Sequence, residues 1–194
     1  MQIKLVLSAA IGGLLLMSVQ FAHAQQPSVT TETYGNWTYR CTLIANPAEQ
    51  EAAPAVPTTA ENPAKTEAAS TMVCETSQIL QDAKGNVIAQ IAFGLDPATT
   101  DKLIVAFQVP QGTLLSSPVR FGTEGLEDSL EAEYVTCYQS ICLARAETEK
   151  TIIKTFGESK NGMLEFADRS GRKINVLLSF DGMTAANERL TSGK

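Results

Sequence analysis

The sequence predicts an all-β fold, an antiparallel β-sandwich of about nine short strands with one short helix. Two observations carry this. Apolar and polar residues alternate with a period of two in one short run after another, the pattern of a half-buried strand. Gly, Pro, Asn and Asp punctuate the runs at close intervals, which favours hairpins over long crossovers.

The elements follow in order. Residues 25–33 are polar and read as disordered. In Asn36–Leu43, Trp37, Tyr39, Cys41 and Leu43 share one face of a strand. Met72–Gln81 and Val87–Leu95 form a hairpin around Asp82–Asn86, whose Gly85 suits a positive φ. Leu103, Val105, Phe107 and Val109 alternate in the next strand, which Pro110 ends. Gln111–Pro118 is a loop, and short strands cover Val119–Phe121, Leu130–Cys137 and Ile141–Ala146. Glu147–Phe156 has a helical apolar face of Ile152, Ile153 and Phe156. Met163–Ala167 and Lys173–Phe180 make a last hairpin, and Thr184–Leu190 a terminal helical turn.

The first 24 residues read as a secretory signal peptide. Lys4 gives the positive start, Leu5–Met17 is an uncharged apolar run, and Ala22-His23-Ala24 is a small-x-small cleavage site. The run falls short of the roughly 20 apolar residues of a membrane helix, so no integral membrane segment is expected after cleavage. Removing 24 of 194 residues leaves 170, a single β domain (25–194) by length. Within it, residues 45–70 are rich in Ala, Pro, Glu and Thr and nearly free of large apolar side chains, so they read as a disordered insertion.

Charge and missing residue types restrict function. Lys4 is the only charge in the signal, so of 15 basic and 21 acidic residues, 14 and 21 belong to the mature chain. An acidic surface argues against nucleic-acid binding. His23 is the only histidine and leaves with the signal. That removes Ser-His-Asp and Cys-His catalysis and most imidazole metal sites. Phosphate-binding glycine loops and a nucleophile elbow are absent as well. No catalytic, cofactor or metal residue is therefore assigned. The remaining acid–base candidates are Glu124, Glu127, Asp128, Glu131 and Glu133, clustered around one turn and strand. They would support a carboxylate-only hydrolase or a carbohydrate-binding protein of the periplasm if two faced each other across a groove.

All four cysteines lie in the mature chain: Cys41, Cys74, Cys137 and Cys142. An even count in an exported chain reads as two disulfides. Of the three possible pairings, Cys41–Cys74 and Cys137–Cys142 are favoured. The four residues between Cys137 and Cys142 do not match a redox Cys-x-x-Cys.

Several segments together resemble the invasion-associated locus B family of exported alphaproteobacterial proteins. They are Tyr34-Gly35-Asn36-Trp37 followed by Cys41, then Cys74, Pro110-Gln111-Gly112-Thr113-Leu114-Leu115, the pair Cys137…Cys142, and the tail Leu178-Ser179-Phe180-Asp181-Gly182-Met183-Thr184-Ala185-Ala186. The long insertion and Met183, where an aromatic would be more typical, depart from the pattern. The resemblance implies a mainly β exported protein with no catalytic motif to carry over. It also implies host-cell interaction in pathogenic members. The expectation is a non-enzymatic envelope or surface protein that binds another protein, in the envelope or on a host cell. Its place is the periplasm, with outer-membrane association or secretion as further destinations.

Overall fold

The computed structural model describes residues 29–45, 70–96, 102–127 and 129–193. The expected signal segment, the interior of the 45–70 insertion, and Asp128 lie outside the described residues. The strands are β1 (Val29–Tyr34), β2 (Trp37–Ala45), β3 (Ser70–Gln81), β4 (Val87–Leu95), β5 (Lys102–Pro110), β6 (Val119–Thr123), β7 (Leu130–Tyr138), β8 (Ile141–Glu149), β9 (Asn161–Ala167) and β10 (Lys173–Ser179). Helix α1 (Thr151–Gly157) links β8 to β9, and α2 (Met183–Ser192) follows β10.

Every strand pair is antiparallel, and the order is β1-β2-β3-β4-β5-β8-β7-β6-β9-β10. The all-β antiparallel class is as the alternation predicts. The layers, however, are the two arms of one curled sheet. The corner strand is β7: Leu130–Ala132 pair with β6, and Glu133–Tyr138 pair with β8. The register slips between Tyr134 and Thr136, leaving Val135 as a bulge, and a bulge bends and twists the strand that carries it.

Curling brings the inner faces together. Trp37 and Tyr39 of β2, Ile91 and Phe93 of β4, and Leu103, Val105, Phe107 and Val109 of β5 are all buried. So are Phe121 of β6, Leu164 of β9, and Phe156 of α1. Phe121 is the hub, with ring centroids 5.6 Å from Phe107, 6.1 Å from Phe93, 5.2 Å from Phe156 and 5.9 Å from Phe180. Such tilted and edge-on contacts add to the burial of the rings themselves.

Two expectations are corrected. Residues 29–34 are not disordered: they form β1, the tenth strand. A turn through Gly35 and Asn36 pairs Tyr34 with Trp37, and every β1 residue then pairs with β2. The polar composition fits an edge strand whose residues are half-buried at most. The second concerns Glu147–Glu149, which extend β8 by pairing with Lys102–Ile104 instead of starting the helix. Ladder bonds to β5 outweigh the weak helical period there. The terminal turn is a full helix of ten residues.

Candidate interaction surface

Trp37, carried by the family resemblance, is fully buried, and its indole N–H donates to Ser179 O at 3.0 Å. It is an anchor of the framework. Around it the two ends of the chain lock together: Asn36 N–H donates to Asp181 O at 3.0 Å. Gly182 has φ +83°, and a Cβ there would collide with the Tyr34 carbonyl. The Tyr34-Gly35-Asn36-Trp37 and Phe180-Asp181-Gly182 segments are thus two halves of one packing contact, and glycine is the residue that permits it.

Helix α2 closes over the same corner. Arg189 forks onto Glu32 of β1 with its Nε and Nη2 at 3.0–3.2 Å, and lies 4.7 Å over the Tyr39 ring. Tyr34 donates its hydroxyl to Glu32 at 2.6 Å. The Arg189 bond, reinforced by Tyr34, holds the Glu32 carboxyl below its usual range, and the same Glu32 bond raises Arg189. Buried beneath, Asn187 accepts from Thr76 at 3.0 Å and donates to Met183 O.

The described members of the carboxylate cluster are set against arginines or solvent, not against each other. Glu131 stands opposite Arg120 in register, with Arg120 Nε 3.5 Å from Glu131 Oε1, an ion-pair contact. Arg120 also lies 3.5 Å from Glu165, which binds Lys173 at 3.0 Å. Charges therefore alternate Glu131–Arg120–Glu165–Lys173 across β7, β6, β9 and β10. Glu133 stands opposite Arg145. Glu124 and Glu127 are exposed in the turn. Among the described residues, no group of three or more His, Cys, Asp and Glu is arranged to hold a metal ion.

Both disulfides, Cys41–Cys74 and Cys137–Cys142, join directly opposed residues of neighbouring strands, β2–β3 and β7–β8. The second sits at the neck of the β7–β8 hairpin. Beyond it Gln139 turns the chain at φ +52°, and Tyr138 pairs with Ile141 at the tip. Tyr138 is 70 % exposed, Val135 of the bulge 63 %, and Ile141 is exposed beside them. Behind the tip, burial pushes the Tyr134 phenol up to about 12, with Thr113 alongside. Sequence reading takes Tyr138–Ile141 only as a turn. The signal it contains is two large apolar side chains at a hairpin tip, where small polar residues are usual.

A curled antiparallel sheet, two cross-strand disulfides and an apolar hairpin tip define a small disulfide-stapled β protein with its distinctive groups on the outside. The chain belongs to the Invasion associated locus B (IalB) protein family, whose model matches residues 58–191. That span holds Cys74, Cys137, Cys142 and the Phe180-Asp181-Gly182 corner, while Trp37 and Cys41 precede it. The crystal structure of invasion associated protein B from Bartonella henselae is similar at a TM-score of 0.61 and 19 % identity, covering 84 % of this chain and 96 % of that one. At that identity the likeness concerns the fold. No curated protein matches the chain significantly. Among the described residues, no helix is long and apolar enough to cross a membrane.

Proposed function

We propose that the protein is an exported, non-enzymatic binding protein of the bacterial envelope or cell surface, and that it acts by gripping another protein. The observation that carries this reading is the disulfide-clamped β7–β8 tip, where Tyr138 and Ile141 face solvent on a rigid mount. An aromatic and an aliphatic anchor that are already ordered lose little entropy on docking, which is what a binding hot spot requires. Export is supported by the disulfides, which persist in oxidising compartments, and by the signal-like residues 1–24. The charge ladder through Arg120 supports a framework role for the acidic cluster, in preference to paired hydrolase carboxylates.

The test is crosslinking capture from intact cells with wild type and with Tyr138→Ser/Ile141→Ser. The variant should stay folded, because neither side chain belongs to the core, and should lose at least about tenfold in capture, the equivalent of 1.4 kcal/mol. Equal capture by both forms would remove the tip from the reading. N-terminal sequencing of the exported protein should begin at Gln25.

A further inference from the structure

β10 is the last strand in the sheet order, so among the described residues one of its edges has no neighbouring strand. Its pairing with β9 fixes which residues face that edge. Hydrogen-bonded and non-bonded pairs alternate along an antiparallel ladder. The bonds Phe180 N–H to Lys160 O and Asp168 N–H to Arg172 O mark two bonded pairs of this ladder. Stepping by twos between them, Ile174, Val176 and Leu178 bond to β9. Lys173, Asn175, Leu177 and Ser179 therefore turn their N–H and C=O groups outward.

The edge is stopped at one end. Ser179 O accepts from the Trp37 indole and from the Gln78 amide at 3.2 Å, two side chains standing in for a neighbouring strand. Further along, no described residue takes the outward main-chain groups of Leu177 and Asn175. An open groove of about 340 Å³ runs here between β10 and the end of β3. Gln78, which lines this groove, is 5 % exposed, and its Oε1 has no hydrogen-bond partner among the described residues. Ile79 and Leu177 rise from the rim, 56 % and 63 % exposed.

We propose that this edge receives an extended peptide strand from a partner protein, which adds to β10 alongside Leu177 and Asn175. The proposal rests on the protein-binding reading above and gives it a second, main-chain contact. Unpaired N–H and C=O groups at strand spacing are matched by a backbone in the β conformation. The Gln78 amide, bonded to Ser179 O at 3.2 Å, marks the end of the open edge where such a strand would stop. Ile79 and Leu177 offer apolar contacts to alternate side chains of the guest. Lysine commonly guards an edge, but Lys173 is drawn onto Glu165 at 3.0 Å.

The probe is a short peptide of alternating threonine and valine with a lysine at each end, titrated into the ¹⁵N-labelled protein purified after export. The amides of Asn175 and Leu177 should shift and gain protection from hydrogen exchange, and the Gln78 side-chain amide should shift with them. The same peptide N-methylated at alternate residues should not bind. Asn175→Pro removes an outward N–H and no β9 bond, so it should stay folded and bind the probe at least tenfold more weakly. If that variant does not fold, Leu177→Lys serves in its place. Absence of shifts on β10 at millimolar peptide, or shifts that survive N-methylation, would overturn the proposal. A dimer that forms with rising concentration and dissolves in Asn175→Pro, without peptide binding, would overturn it too by making a second copy the occupant. If β10 is silent while the Tyr138→Ser/Ile141→Ser variant still loses its partner, this inference fails and the binding reading stands; if β10 is silent and neither wild type nor variant captures a partner, both fail.

Discussion

Phe121 touches four other rings, from β4, β5, α1 and the loop after β10, so its removal opens a void that none of them can fill alone. Phe121→Ala should cost about 3–5 kcal/mol, a large share of the stability of an ordinary domain, and chemical denaturation checks it. Glu32 gives a pH dependence of known sign. Its native carboxyl keeps its charge to lower pH than an ordinary glutamate does, so the folded state gains a contribution that is complete above the ordinary glutamate range. The contribution vanishes as the pH falls through the native pKa. Melting temperatures of wild type and Arg189→Met should therefore differ by a constant amount from pH 7 down to about 5, and converge at lower pH. A gap that stays constant to pH 3 would show that Glu32 contributes no such linkage. None of this local chemistry is legible in sequence: Glu32 and Arg189 lie 157 residues apart and meet only because α2 folds back over β1.

Among the elements, strands with a buried face announce themselves, and those without one do not. The runs in β4 and β5 put Phe93, Val105 and Phe107 into the core at every second residue, and the alternation marks them. β1 has no buried residue, so nothing in its composition separates it from a tail. Glu147–Glu149 carry helical periodicity yet are captured by β5, because a ladder on one side decides the conformation of a short segment. The β7–β8 tip and the open edge of β10 depend on how the sheet curls, a property of the whole assembly that no window of residues contains. The cysteines are legible as a framework because spacing and strand pattern already set them on adjacent strands. Their two bridges should differ in weight. Sequence separations of 33 and 5 residues imply losses of about 4 kcal/mol for Cys41→Ala/Cys74→Ala and about 2 for Cys137→Ala/Cys142→Ala in the chain-entropy account. Equal denaturation midpoints for the two double variants would contradict that ranking.

At the scale of the molecule, the ten described strands form a sheet that curls until its arms share one core, with β1 and β10 as its margins among the described residues. α2 is pinned to the first margin by Arg189 and Glu32. The second is stopped only at Ser179. The family assignment and the structural likeness describe a common framework, and the groups that differ in kind from framework lie outside the core, at the hairpin tip and along β10. Contacts proposed for the tip and for β10 leave the core untouched, so the backbone amide shifts of β4 and β5 should be the same with and without a bound partner.

The Cys41–Cys74 bridge also alters what counts as one chain. It joins β2 to β3 across the whole stretch that separates them in sequence, so the two are connected twice, once through peptide bonds and once through sulfur. A protease that cuts between Ala45 and Ser70 would leave the pieces covalently tied. The nicked protein would run at full size on a non-reducing gel and fall into a short amino-terminal and a long carboxy-terminal fragment only when reductant is added. Polypeptide ends could be relocated there, and the original ones fused, without taking β2 away from its neighbour.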